Sequence, residues 1–277
     1  MQTTILNTTR VRIFESAGEL IAVAEADRVA RASHRVDACD SSWLGRSFGD
    51  WRELLAACDR PWSEGQETLA RLVDRLRDAA MPKPKSRRRR TRFDEANGDE
   101  LDYDRMRSGQ DFWRTSRREV TSGPASVTVL VDVGARNDKT PEQIFWRGAA
   151  AIVLTELLEA AGYRVELWAV NYTEGIYGRA AADDLFQAVC LKRTSDPLDT
   201  ATLVNTVSGW FYRTVIFQAR HAAGPTSGPN QVGGSSCPPA SLLDEVTRDE
   251  QRQLVADVWD SQAAERLVRR TVESLKQ

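Results

Sequence analysis

The stretch VTVLVDVGARNDKT, residues 127–140, decides the fold. Ser126 to Ala135 is almost continuously apolar and β-branched, as a strand buried on both faces requires, and Asp132 stands at its end. Thr140-Pro141-Glu142-Gln143 then opens a helix. It supplies an N-cap hydroxyl, a proline at the first helical position and a glutamine three residues on. The helix runs through FWRGAAAIVLTELLEAAG, where Gly162 suits a left-handed cap. Its middle, Gly148 to Leu154, is apolar all round and so must be covered on more than one side. Gly148 and the alanines at 149–151 are expected to let it approach the sheet closely. YRVELWAV, residues 163–170, reads as a second strand, completing a strand-helix-strand unit whose strands should be parallel.

Working outward, LFQAVCLKR, residues 185–193, reads as a third strand, antiparallel at an edge because the loop before it is short and glycine-rich. A helix over 199–209, a fourth strand in RTVIFQAR (213–220), a Gly/Pro/Ser loop over 222–239, a strand in QLVADVW and a helix over 260–275 follow. This alternation predicts an α/β fold, an open and mostly parallel twisted sheet flanked by helices, over 126–277.

Upstream, residues 1–80 read as a mainly helical region. After a β-like RVRIF, a helix starts at Ser16 with Glu19 as its capping-box partner, and two more are expected over about 49–58 and 63–80. Trp43, Phe48, Trp51 and Trp62 are expected to pin these helices by packing. Residues 81–125 read as a charged linker. MPKPKSRRRRTRF carries two prolines and seven basic residues, and DEANGDELDYD follows with six acids and no Lys or Arg. The two blocks are expected to neutralise each other across a turn at Asn97-Gly98.

Composition narrows the function. With 38 basic and 40 acidic residues the net charge is −2, so any affinity for nucleic acid must come from local clustering. Four scattered cysteines and two histidines offer no zinc spacing. The start of the chain shows no basic-then-apolar leader and no window reaches 18 apolar residues, so a cytoplasmic protein away from membranes is expected. Walker, G-x-S-x-G and H-E-x-x-H signatures are absent. A calcium loop over 93–104 fails because Phe93 falls at its first ligand position.

Residues 126–275 resemble a von Willebrand factor A-like domain, in the branch found in bacterial proteins such as the cobalt-chelatase-associated subunit. The strand ending on Asp132 and the phrase WRGAAAIVLTELLEAAGYRVELWAV carry the likeness. GRSFGDW, PWSEG and GDELDYDRMRSGQDFW also resemble segments of uncharacterised phage and mobile-element proteins. The first resemblance implies a magnesium site built from Asp-x-Ser-x-Ser, a threonine from a later loop and an aspartate after strand four. Here the first motif reads Asp132-Val133-Gly134-Ala135-Arg136, and Phe217-Gln218-Ala219-Arg220 stands where the distal aspartate belongs. A glycine offers no side-chain ligand, and an arginine would compete for the carboxylate. The expectation is therefore a site without metal or cofactor.

Asp132, Arg136, Asn137, Asp138 and Arg220 are then expected to form a polar edge that binds another protein, at the end of the sheet where open α/β folds place ligands. The bland reading has Asp132 pairing with an arginine or capping a neighbouring loop. The leading expectation is a non-enzymatic assembly or adaptor protein. Its rival is a nucleic-acid binder using Lys83, Lys85, Arg87, Arg88, Arg89, Arg90 and Arg92 on phosphates, with aromatic groups downstream for stacking.

Overall fold

A computed structural model describes residues 1–7, 9–31, 41–76, 91–116, 125–174, 184–222, 235–247 and 251–274. The chain divides into two compact units, one of residues 1–82 with 126–277 and one of residues 83–125.

The larger unit begins with β1 (Gln2–Leu6) and β2 (Thr9–Phe14), an antiparallel hairpin turned at Asn7, whose φ is 57°. The helices α1 (Ala17–Arg31), α2 (Ser41–Leu44), α3 (Trp51–Cys58) and α4 (Ser63–Leu76) follow. Asp50 caps α3 by accepting from the Glu53 amide at 2.8 Å. Ser16 likewise accepts from Glu19, but the Glu19 carboxylate returns to the amide of Glu15, not Ser16, so the expected box closes one residue early.

The smaller unit holds β3 (Thr91–Asp94), β4 (Glu100–Leu101), α5 (Tyr103–Arg107) and β5 (Trp113–Ser116), with the strands in the order β3-β5-β4, all antiparallel. The stretch read as linker therefore contains a small sheet. Its acids work locally. Asp94 accepts from the amides of Ala96 and Asn97, Asp102 caps α5, and Glu100 lies 3.7 Å from Arg114. The Arg105 guanidinium covers the Phe93 ring at 4.0 Å.

The larger unit resumes with β6 (Ser126–Asp132), α6 (Pro141–Ala160), β7 (Arg164–Thr173) and β8 (Leu185–Lys192). Then come α7 (Thr200–Thr206), α8 (Gly209–Phe211), a π-helical turn (Tyr212–Ile216) and α9 (Phe217–His221). β9 (Ser235–Ser236), α10 (Ala240–Asp244), β10 (Arg252–Val255) and α11 (Ser261–Ser274) complete the described elements.

The sheet runs β1-β2-β8-β7-β6-β10, with the β10-β6, β6-β7 and β2-β8 pairs parallel. This is the expected open α/β sheet with flanking helices. Because β8 already occupies one side of Tyr172 and Thr173, β9 pairs with them on the other side, beyond the end of β6. On one face, Leu130, Trp168, Val170, Phe186 and Ala188 pack against Leu242, Leu243 and Val246 from α10 and its end. The alternate residues, such as Val129, Leu167 and Val189, are equally buried and belong to the opposite face, where α6 and α1 lie on the strands. Among the described residues no helix is long and apolar enough to cross a membrane.

Two expected strands come out differently. β8 is antiparallel to β7 as foreseen, but β2 and β1 extend the sheet beyond it, so it is not an edge. RTVIFQAR is helical. Ser208 caps α8, which runs directly into this stretch, by accepting from the Phe211 amide, and the Thr214 hydroxyl donates back to the Trp210 carbonyl at 2.7 Å. Residues 209–216 are all buried, and an apolar run without period does not distinguish strand from helix.

The α6 boundaries follow the sequence closely. Thr140 and Gln143 form the full capping box, and Gly162 has φ 97°. Gly148 has a different role from the one expected. A Cβ there would lie 2.3 Å from Val207 Cβ and 3.0 Å from its carbonyl, so the close approach is to the end of α7 and not to the sheet. Gly148→Ala should therefore overpack this contact and lower stability by about 1–3 kcal/mol. An unchanged urea midpoint would show that the segment around Val207 moves aside freely.

Candidate functional site

β6 delivers Asp132 to the end of the sheet, where its side chain is buried. One carboxylate oxygen accepts from the Gly134 amide at 2.9 Å, and the other lies 3.3 Å from Arg147 Nη1. Arg147 comes from α6 and is 2 % exposed. Its Nη2 donates to the Gly134 carbonyl at 2.5 Å, and the guanidinium covers the Trp259 ring at 4.1 Å. Lys139 Nζ is 4.6 Å from the same ring. Tyr212, fully buried, donates its hydroxyl to the Ala135 carbonyl at 3.3 Å, and Val133 donates its amide to Val170. The loop leaving β6 is thus tied down by a carboxylate, a guanidinium and a phenol.

Arg147 is the residue the sequence reading missed. The signal was present: an arginine directly before a helix stretch that is apolar all round has no solvent to reach, so it needs an internal acid. Arg136, expected to compete for Asp132, is instead 74 % exposed and lies 3.8 Å from Asp138. Arg136, Asn137 and Asp138 form an exposed turn closed by the Lys139 amide donating to the Arg136 carbonyl. Arg220 lies in α9, not at a strand end, and is buried near Tyr212. The structure therefore brings Asp132 and Arg220 around Tyr212 and leaves 136–138 in solvent. In the basic segment, Lys83, Lys85 and Arg87 to Arg90 lie outside the described residues, and Arg92 sits in β3 opposite Thr115.

Burial pushes the Asp132 carboxyl up to about 6, and Arg147 and the Gly134 amide offset only part of that rise. A carboxyl near neutrality at a sheet edge is a candidate for acid-base chemistry. Here both oxygens are engaged by internal partners, and the buried Cys58 and Cys190 thiols are pushed up to about 12 and about 11, far from thiolate. The arrangement supports a tie more than a reacting group. Among the described residues no cluster of three or more His, Cys, Asp or Glu side chains could hold a metal ion.

The raised carboxyl has a consequence for stability. The folded protein holds the Asp132 proton to higher pH than the unfolded chain, so this group favours folding most below about pH 4, and that contribution is lost as pH rises through about 6. Asp132→Asn should flatten the corresponding segment of a plot of unfolding midpoint against pH. An identical slope in the variant would remove Asp132 as its source.

Next to this tie, Asn171 and Gln187 face each other directly across the β7-β8 ladder, with Arg12 next in the row on β2. Both carboxamides are buried and neither side chain has a hydrogen-bond partner among the described residues. Arg12 Nη1 donates to the Ala219 carbonyl at 2.7 Å.

A family described as "Domain of unknown function (DUF7192)" matches residues 2–276. The chain belongs to the DUF7192 family. The match takes in the β1-β2 hairpin, the N-terminal helices, the smaller unit and the six-strand sheet path, so the DUF7192 domain is more than its C-terminal half. No curated protein matches the chain, and no solved structure does.

Proposed function

We propose that this protein is a non-enzymatic, cytoplasmic assembly or adaptor protein that binds another protein through the exposed turn after β6. The observation that carries the reading is the division of labour in residues 132–138. Asp132 is satisfied internally by Arg147 and Gly134, whereas Arg136, Asn137 and Asp138 stand in solvent on a rigidly anchored loop. Such a surface presents opposite charges and a carboxamide without needing a bridging cation. The von Willebrand A-like resemblance supports the use of this edge and the phage-like segments suggest an assembly role; both remain likenesses.

The test is capture from the native host in the presence of a chelator. Wild-type protein should retain a defined partner, and Arg136→Glu with Asp138→Lys should lose it while keeping the wild-type unfolding midpoint. Capture that needs a divalent cation, or that survives the charge reversal, would sink the proposal.

A further inference from the structure

We propose that a second site, away from the Asp132 edge, binds a small aromatic anion: a flat ring bearing a carboxylate or phosphate. A cleft of about 560 Å³ lies where α4 meets the start of α6, with α2, α8 and the start of α11 completing its walls. That volume falls within the range of about 300–1,000 Å³ usual for small-molecule sites.

Its apolar surface is made of rings. Trp62 meets Phe145 edge-on at 5.4 Å between centroids, and the buried Trp210 and Leu72 also line the space. Gly65 and Gly209 line it too, and each is held glycine by a close neighbour. A Cβ on Gly65 would lie 2.5 Å from the Trp62 ring, and one on Gly209 would lie 2.9 Å from Pro141. The missing side chains let ring faces and backbone form the wall, a surface suited to a planar ligand.

The charged groups at the rim are sorted by position. Glu64 and Arg75 both line the cleft from α4, eleven residues apart, so the cleft follows that helix for roughly 16 Å. At its acidic end Glu64 stands in the first turn of α4, and Glu142 stands in the first turn of α6, three residues before Phe145. These carboxylates complement the amide ends of their own helices. At the other end, Arg71 and Arg75 lie one turn apart on the same side of α4. Arg71 is held in place, its Nη2 donating to Thr68 Oγ1 at 2.9 Å and its Nε to the Glu67 carbonyl. The Arg75 guanidinium makes no hydrogen bond or ion pair among the described residues, although its carbonyl accepts from Arg269. Two guanidiniums, one preorganised and one free to close, form a fork for a planar oxyanion. The acids at the far end repel that group and so set the ligand's direction, leaving the ring against Trp62.

Equilibrium dialysis of the full chain against 1-naphthoate, 1-naphthyl phosphate and 1-naphthylmethylammonium tests this. The anions should bind saturably at one equivalent, weaken with added salt, and exceed the cation by about tenfold or more. The better of the two anions names the acid group. Arg71→Gln with Arg75→Gln should lose about tenfold in anion affinity. Both side chains are exposed, so this variant should keep the wild-type unfolding midpoint; should it not, Arg75→Gln alone carries the comparison. Equal or stronger binding of the cation, non-saturable uptake, or anion binding indifferent to both the arginine variants and salt would overturn the assignment.

Discussion

Arg147→Met should be among the most damaging single substitutions in this protein, lowering its unfolding free energy by about 3–5 kcal/mol. The reason is what it leaves behind. Asp132 would keep its burial and its one hydrogen bond from Gly134 but lose the cation 3.3 Å away, and a lone buried carboxylate is costly. The Gly134 carbonyl and the Trp259 ring would also lose their guanidinium. The pair need not be stabilising as a whole, since desolvating two charges offsets much of their attraction. Asp132→Leu combined with Arg147→Met should therefore recover a large part of the single-variant loss. Chemical denaturation of the two single variants and the double variant gives the coupling energy. A change below about 0.5 kcal/mol for Arg147→Met would mean that the two side chains do not depend on each other.

The second large effect is expected at Asn205, whose amide nitrogen reaches the carbonyls of Ala57, Cys58 and Arg60 at 3.1, 3.2 and 2.7 Å. These carbonyls belong to the end of α3 and the residues just after it, where the last turn runs short of backbone donors; that of Ala57 also accepts from the Arg60 amide. One fully buried side chain on α7 thus fastens the N-terminal helices to the rest of the larger unit. Asn205→Ala removes the donor and opens a small cavity, with an expected loss of about 2–4 kcal/mol. If local unfolding of α3 is the route, amide exchange there should quicken before exchange in β6 and β7 does. Uniform quickening throughout would mean that the two parts unfold together.

How far the sequence could be read depended on whether a residue's partner was local. The end of β6, the Thr140 capping box, the α6 stop at Gly162 and the pairing of β7 with β6 follow from neighbouring residues, and they appear where expected. The β1-β2 hairpin was only half visible. RVRIF looked like a strand, but nothing near it says that it lies parallel to β8, 170 or more residues away. The stretch 213–220 misled for the opposite reason: Thr214, Val215 and Ile216 favour a strand by type, yet burial on every side removes the periodicity that separates strand from helix. At the site, Asp132 was legible from its place at a strand end. Its partner was not, because the absence of the two serines drew attention to Arg136, four residues on, while Arg147 acts from the second turn of the next helix.

In the proposed reading, Asp132 serves as the carboxylate half of an internal tie and does not anchor a metal. Elemental analysis of purified protein after exhaustive dialysis tests it most directly. No stoichiometric Mg²⁺, Mn²⁺ or Ca²⁺ is expected in the wild type, and no shift of its unfolding midpoint when a chelator is added. One equivalent of any of these ions retained by the wild type and lost in Asp132→Ala would contradict it.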